Sequence, residues 1–287
     1  MRLSRTGVVL GAGLLALVSV VVLAFWWAQS EPERDRCGER LAKSGGGDWT
    51  CTLAEDFTGD RLDEKTWTAA EQVGSQDLCL IDSPRTVAVS GGRLRLSLIT
   101  ADASTPCPLR ADGTRALYAG GQVSTYGRWS QQYGRFEARV RVQRADGPGL
   151  HEAFWLWPDV RYGADQPWPQ TGEIDVAETY SVRPDRAIPF LHSSADAGGP
   201  VEGLNTSTDC VAERGQWHTY TLEWTADRLR VAVDGERCLD SADLAATFRK
   251  PFIVALTQFM GTGDNLRDPA RVPLPATMEV DWVRAWR

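Results

Sequence analysis

Residues 134–142 read Gly134-Arg135-Phe136-Glu137-Ala138-Arg139-Val140-Arg141-Val142, and apolar and charged side chains alternate along them. Successive side chains of a β-strand point to opposite faces, so this alternation predicts a strand with one buried side and one solvent-facing side. Residues 220–224 alternate in the same way, and residues 278–286 are a further strand candidate. The stretch therefore predicts half-buried strands, which are the elements of an all-β fold.

Turn signals connect neighbouring strands of this pattern. Residues 230–233 run into Asp234-Gly235, a dipeptide that favours the tight turn of a β-hairpin. Residues 87–98 hold two apolar runs separated by Gly91-Gly92, which predicts a second hairpin. Helical periodicity is scarce, and residues 239–248 are expected to form one short helix. Many strands and few helices predict a two-sheet β-sandwich.

The composition is that of a globular protein. The chain has 287 residues, of which 43% are hydrophobic and 24% charged, so disorder is not expected. Its formal net charge of −7 argues against nucleic-acid binding, which needs a basic surface. Twelve Trp residues suit a sugar-binding protein, because indole rings stack on sugars, although Trp also fills sandwich cores.

The first 28 residues form a separate segment. Residues 7–28 contain no charged side chain, and this run is long enough to cross a hydrocarbon core of roughly 30 Å as a helix. Arg2 and Arg5 lie on its N-terminal side, which predicts a cytoplasmic N-terminus at residues 1–6. We therefore expect a transmembrane anchor at residues 7–28, with a long cleaved signal peptide as the alternative.

The rest of the chain is then expected to be extracytoplasmic. Residues 29–50 are polar and include Gly45-Gly46-Gly47, so they are assigned to a linker, and residues 51–287 to the globular domain. All six cysteines follow the anchor, which suits disulfides in an oxidising compartment. Among the 15 possible connectivities we prefer nearest-neighbour pairing, 37–51, 79–107 and 210–238. None of the cysteines has a Cys-x-x-Cys zinc spacing, and neither a metal nor a cofactor is expected.

A cluster of carboxylates lies in Glu173-Ile174-Asp175-Val176-Ala177-Glu178. Cutting a glycosidic bond needs two carboxyl groups, one protonated and one ionised. Glu173 and Asp175 share one face of a strand, whereas strict alternation would put Glu178 on the other face. A β-bulge at Val176-Ala177 would return Glu178 to the face of Glu173. The alternative is an acidic strand that faces solvent, but apolar residues interleave the carboxylates and Trp168-Pro169 and Tyr180 flank them.

The carboxylate segment resembles the signature of glycoside hydrolase family 16, the laminarinase-like β-glucanases. Other segments resemble the family in the same order along the chain, over about residues 53–287: 56–63 with Trp67, 133–139, 153–156, 168–172, 217–220 and 281–286. Two segments depart from the family pattern. His151-Glu152 stands where many relatives have a Trp-Pro pair, and residues 258–261 differ from the common laminarinase sequence.

The resemblance implies a jelly-roll β-sandwich with a concave substrate cleft and hydrolysis with retention of the anomeric configuration. Glu173 would be the nucleophile, Glu178 the acid/base and Asp175 the assisting carboxylate. Trp168 would line the cleft, Trp155 would stack on sugar, and His192 stands where the family often has a cleft histidine, although a structural role is equally open.

The expected function is therefore endo-acting cleavage of a β-glucan with β-1,3 or mixed β-1,3/1,4 linkages. The expected partner is a polysaccharide, and the protein is expected to act as a monomer. A transglycosylase that remodels wall or capsular glycan, a non-catalytic lectin-like glucan-binding module and a hydrolase of another backbone such as a galactan stay open as alternatives.

Overall fold

The structure is a computed structural model, and it describes residues 34–43, 45–73, 77–163, 166–194 and 199–287. The chain divides into two compact units, Met1–Trp49 and Thr50–Arg287. The described part of the first unit contains a short antiparallel pair, β1 (Arg34–Asp35) and β2 (Gly38–Glu39). The predicted membrane anchor at residues 7–28 lies outside the described residues. Among the residues described, no helix has the length and apolar character needed to span a membrane.

The second unit is built from strands, as predicted. They are β3 (Cys51–Glu55), β4 (Thr68–Ala69), β5 (Gln72–Val73), β6 (Leu78–Leu80), β7 (Val87–Val89), β8 (Leu94–Thr100), β9 (Tyr118–Gly120), β10 (Gln122–Ser124), β11 (Gly134–Arg141), β12 (Leu150–Pro158), β13 (Glu173–Tyr180), β14 (Ala187–His192), β15 (Trp217–Trp224), β16 (Leu229–Val233), β17 (Glu236–Ser241), β18 (Phe252–Met260) and β19 (Ala276–Trp286). The described helical segments are single 3-10 turns at Val160–Tyr162, Ala245–Thr247 and Gly263–Asn265.

The strands form two sheets that enclose one core. The six-stranded sheet has the order β14-β13-β12-β18-β10-β4. The eleven-stranded sheet follows β17-β16-β15-β11-β19-β8-β9-β6-β5, with β3 paired to β19 and β7 to β8. Strands of both sheets contribute to the main buried cluster, for example Phe154, Leu156 and Leu256 from the smaller sheet and Phe136, Leu222 and Val280 from the larger. The chain is thus an all-β sandwich of jelly-roll type.

Strand β11 shows why this sequence makes a sandwich. Phe136, Ala138 and Val140 are at most 2% exposed and face the other sheet. Arg139, which lies between Ala138 and Val140, points outward and binds Asp281 of β19 with 2.5 Å between Nη1 and Oδ2. The alternation of residues 134–142 therefore predicted this strand correctly, to within one residue of its end.

Both predicted hairpins are confirmed, whereas the predicted helix is wrong. Asp234 and Gly235 join β16 to β17 with φ angles of 51° and 86°, the left-handed values that an Asp-Gly turn favours. Residues expected to form the helix instead complete β17, and only one 3-10 turn follows at Ala245–Thr247. Leu239 pairs with Val231 of β16 and is buried there, so pairing with the neighbouring strand overrides local helix propensity.

Two of the preferred disulfides are present. Cys79 is bonded to Cys107 and Cys210 to Cys238. Cys37 and Cys51 are also disulfide-bonded. Their pairing with each other stays a prediction.

Candidate active site

Strand β13 carries the three predicted carboxylates, and a β-bulge lies where it was expected. Trp155 of β12 pairs with Asp175 and the preceding Phe154 pairs with Ala177, so Val176 is the extra residue of the ladder. The register to β14 shifts at the same place, between Asp175 and Glu178. The bulge puts Glu173, Asp175 and Glu178 on the face of the six-stranded sheet opposite the core, and we call it the carboxylate face.

Gly172 leads the chain into this strand. Its φ of 86° lies in the left-handed region that favours glycine. A side chain there would also meet the rings of Phe248 and Phe252 at 3.3–3.4 Å, because the backbone passes close to the core. Glycine at position 172 thus lets the chain turn directly before Glu173.

Glu173 is held by an indole. The Nε1 of Trp168 donates a hydrogen bond to its Oε2 at 2.7 Å. The Trp168 residue is 54% exposed, and the centroid of its ring lies 5.2 Å from that of His192. Trp168 therefore positions Glu173 and still offers ring surface to a ligand.

Asp175 is the most deeply buried of the three carboxylates, with 5% exposure. The Nε2 of His192 lies 3.0 Å from its Oδ2. Donor atoms of Glu173, Asp175 and His192 lie within 4.8 Å of one another, so the three side chains could also hold a metal ion. The structure thus brings together Glu173, Asp175, Trp168 and His192, all of which the sequence had singled out.

Glu178 has two partners that the sequence analysis did not assign. The Nε2 of His151 lies 2.8 Å from its Oε1, and the hydroxyl of Tyr180 donates to the same oxygen at 2.7 Å. Tyr180 could have been found from its spacing, because it is two residues beyond Glu178 and shares its face. His151 had been noted only as a departure from the family pattern, and its contact depends on how β12 and β13 are paired.

Trp155 lies on the same face, next to the carboxylates. Its indole Nε1 donates to Thr257 Oγ1 of β18 at 2.9 Å, and its ring meets Trp157 edge to face at 6.0 Å between centroids. Because Trp155 pairs with Asp175 across the two strands, its side chain lies on the same sheet face as the carboxylates.

The three carboxyl groups differ in protonation because they share a buried site. Burial, with the charges of Asp175 and Glu178, raises the pKa of Glu173 to about 8. Burial and the charge of Glu178 also raise the pKa of Asp175 well above its usual range. Burial alone would raise the pKa of Glu178, but the hydrogen bonds from His151 and Tyr180 and the positive charge of histidine lower it below the usual value. In the free protein the negative charge of the cluster therefore rests on Glu178.

The raised pKa of Glu173 predicts how stability depends on pH. Its carboxyl group holds a proton up to about pH 8 in the folded protein, against 4.5 ordinarily. Between these values the folded state binds more protons than the unfolded state, so this group makes stability fall as pH rises. At about 1.4 kcal/mol per pKa unit, Glu173→Gln is expected to gain a few kcal/mol over wild type between pH 4.5 and 8.

Urea unfolding of wild type and Glu173→Gln across this range measures the effect. The comparison near pH 4 is the internal control, because both proteins are then largely uncharged at position 173. A difference in the free energy of unfolding that stays constant from pH 4 to 8 would contradict the prediction.

Comparison with known proteins gives a consistent family match. Residues 75–283 match the family described as glycosyl hydrolases family 16. The chain is 31% identical over 190 residues to a beta-glucanase of Rhodothermus marinus, covering 59% of this chain and 63% of the relative. It is 26% identical over 268 residues to glucan endo-1,3-beta-glucosidase A1 of Niallia circulans, covering 81% of this chain and 37% of that protein. The chain thus matches less than two thirds of either relative.

A solved structure agrees in fold. It is a mutant of SCLam, a non-specific endo-beta-1,3(4)-glucanase from family GH16, co-crystallised with 1,3-beta-D-cellobiosyl-cellobiose. It superposes with a TM-score of 0.71 and 25% identity, over 86% of this chain and 98% of that one.

Proposed function

This chain belongs to glycosyl hydrolases family 16, and from that premise we propose that it is an endo-acting, retaining hydrolase of β-glucans with β-1,3 or mixed β-1,3/1,4 linkages. The observation that carries the proposal is the bulge in β13, which sets two glutamates and an aspartate together on the sheet face opposite the core. Two carboxyl groups on either side of a glycosidic bond are what its hydrolysis requires.

In the proposed reaction Glu173 is the nucleophile and Glu178 the acid/base. The carboxylate of Glu173 attacks the anomeric carbon while Glu178 gives its proton to the leaving oxygen, so the glycosidic bond breaks and a glycosyl ester forms. Glu178, now ionised, takes a proton from water as that water attacks the anomeric carbon and displaces Glu173. Two inversions at one carbon give net retention.

The charge distribution of the free protein adds one step to this scheme. The reaction needs Glu173 ionised and Glu178 protonated, whereas in the free protein the charge rests on Glu178. Substrate binding must therefore be coupled to transfer of a proton from the Glu173 side of the cluster to Glu178. Asp175 lies between the two glutamates in sequence and is buried beside them, so it is the group proposed to assist this transfer.

Three further residues are proposed to bind the sugar chain. The exposed indole of Trp168 and the ring of Trp155 offer apolar surfaces on the carboxylate face, and aromatic rings of this kind suit the faces of pyranose rings. His192 stands between Trp168 and Asp175, so it can contact both the substrate and the assisting carboxylate. The relatives named as a beta-glucanase and a glucan endo-1,3-beta-glucosidase support a glucan substrate.

The proposed location is extracytoplasmic, on a membrane anchor at residues 7–28 or free after cleavage of that segment. The two described disulfides support an oxidising compartment. Sequencing of the N-terminus of the mature protein tests the anchor, because a chain that begins near Gln29 would rule it out.

A panel of defined polysaccharides tests the proposed activity. The full chain is incubated with β-1,3-glucan, mixed β-1,3/1,4-glucan, β-1,4-glucan and a β-galactan, and products are sized and their first-formed anomer is read by proton NMR. We expect internal cleavage of the first two, with β-anomers formed first. Binding without cleavage would support the lectin-like alternative, and products longer than the substrate would support a transglycosylase.

A further inference from the structure

Two side chains on the carboxylate face bind Glu178, and both reach the same oxygen. His151 Nε2 and the Tyr180 hydroxyl both reach Oε1, at 2.8 and 2.7 Å. The imidazole stacks on the Tyr180 ring with 4.5 Å between centroids and 18° between planes, and Phe259 covers its other side at 5.5 Å. The ring of His151 is thus fixed by packing on two sides.

This arrangement decides where Glu178 can carry a proton. A carboxylate oxygen has two lone pairs. The Tyr180 hydroxyl uses one lone pair of Oε1, and His151 uses the other when its Nε2 carries the hydrogen. Burial and the neighbouring carboxylates raise the pKa of Tyr180, so its hydroxyl keeps its hydrogen and donates. With the hydrogen on Nε2 of His151, any proton that Glu178 holds sits on Oε2.

We propose that His151 is a positioning residue for the acid/base of this site, which together with Tyr180 occupies Oε1 of Glu178 and confines the transferable proton to Oε2. The inference rests on the proposed function and deepens it, because it explains how one glutamate presents a single oxygen to the substrate in both steps. When Glu178 has given up its proton, the same two donors stabilise the charge on Oε1.

Other charged groups also act on Glu178 and must be separated from His151 in a test. On its own strand these are Glu173 and Asp175, and on β14 it is His192. Arg183, just after the strand, acts on Tyr180. Because none of these is changed when position 151 is substituted, a difference between variants at 151 reports the His151 contact.

Two substitutions separate the roles of the ring and of its N–H group. His151→Phe keeps an aromatic ring to stack on Tyr180 but removes the donor, whereas His151→Gln restores a donor without the ring. We expect His151→Phe to lower kcat on polysaccharide by about 10- to 100-fold, because a general acid contributes about 10²–10⁴ and depends on its position. His151→Gln should recover part of that loss.

The rate on an activated aryl β-glycoside distinguishes positioning of the acid/base from a purely structural role of His151. The leaving group of this glycoside needs no proton, so the first step with it should be unchanged in His151→Phe while polysaccharide cleavage falls. His218 supplies matched controls, because it lies on β15 in the other sheet and pairs with Asp234. His218→Phe and His218→Gln should leave both rates unchanged.

A titration of the free protein tests the contact without any activity. The full chain is labelled with ¹³C at the glutamate side-chain carboxyl carbon, and the Glu178 signal is assigned from its loss in Glu178→Gln. We expect the acid dissociation constant of Glu178 to fall at least about tenfold in His151→Phe, since a donor and positive charge that favour the ionised form are lost. Tyr180→Phe should shift it in the same direction and replaces His151→Phe if that variant does not fold.

An unchanged Glu178 titration in the folded variant would overturn the inference, and so would equal losses on polysaccharide and aryl glycoside. Failure of the proposed function looks different. Wild-type protein that cleaves no member of the polysaccharide panel would refute the hydrolase, while the titration would still show whether His151 acts on Glu178.

Discussion

Glu173→Gln is expected to remove polysaccharide hydrolysis by about four orders of magnitude or more, the scale seen when a nucleophile is deleted from an enzyme. Glutamine has nearly the shape of glutamate but cannot attack the anomeric carbon, so no glycosyl ester forms. Its amide oxygen can still accept the bond from Trp168 Nε1, which at 2.7 Å holds Glu173 in place. The variant should therefore fold and bind substrate. Initial rates on mixed-linkage glucan, with binding measured by calorimetry, check this result.

Glu178→Gln should lose activity in a different way. It removes the proton donor, which costs about 10²–10⁴ on a poor leaving group. The aryl group of an activated aryl glycoside leaves without a proton. The first step with that substrate should therefore keep much of its rate in Glu178→Gln. Asp175→Asn should fall between the two glutamate variants, because it removes the group proposed to assist proton transfer but takes no covalent part in the reaction.

The comparison on the aryl glycoside decides the roles. Equal residual rates of Glu173→Gln and Glu178→Gln would argue against the assignment of nucleophile and acid. If either variant kept wild-type activity, the carboxylates of β13 would not form the active site. An unfolding curve for each variant serves as the control for loss of fold.

The second large effect is expected at a charged pair buried behind the carboxylate face. Arg214 binds Glu152 of β12 through two bonds of 2.8 and 2.7 Å, and the two side chains are only 2% and 1% exposed. Thr179 and Gln258 also donate to Glu152, at 2.7 and 3.1 Å. Arg214 Nε donates to the carbonyl of Gln143, which completes the network.

Arg214→Met is expected to lower the free energy of unfolding by about 3–5 kcal/mol, because it leaves the carboxylate of Glu152 buried without its counter-ion. Adding Glu152→Gln in the same chain should recover a large part of the loss, since no uncompensated charge then remains. Urea unfolding at pH 7 measures both variants.

Arg237 provides the matched control for this prediction. It also pairs with a carboxylate, at 3.2 Å from Asp240, but its side chain is 59% exposed. Arg237→Met should change stability by less than about 1 kcal/mol, as for other surface ion pairs. The prediction would be wrong if Arg214→Met lowered the free energy of unfolding no more than Arg237→Met does. Glu152 would then be stabilised by a proton or by water in place of Arg214.

Part of the site could be predicted because its residues are neighbours in one strand. The spacing of Glu173, Asp175 and Glu178 required a bulge at Val176-Ala177 if all three were to act together, and the ladder has its extra residue there. Strand periodicity is local, so residues two apart share a face whatever the rest of the chain does.

Contacts between distant segments could not be predicted in this way. His151 and Glu178 are 27 residues apart, and Glu152 and Arg214 are 62 apart. Both contacts depend on the pairing of β12 with β13, where His151 stands opposite Tyr180 and Glu152 opposite Thr179. If β12 were shifted by one residue along β13, each of its side chains would move to the opposite face of the sheet. His151 would then lie in the core and Glu152 on the carboxylate face.

The sequence by itself determined the all-β class, two hairpins, two disulfide pairings and the three carboxylates, because alternation, turn residues and cysteine spacing act over short distances. Only the tertiary structure decided that residues 239–241 complete strand β17, that one oxygen of Glu178 is held by His151 and Tyr180, and that Glu152 is neutralised by Arg214. These outcomes follow from strand pairing and burial. Burial changes the free energy of a charge or a hydrogen bond by several kcal/mol, more than any local preference in the chain.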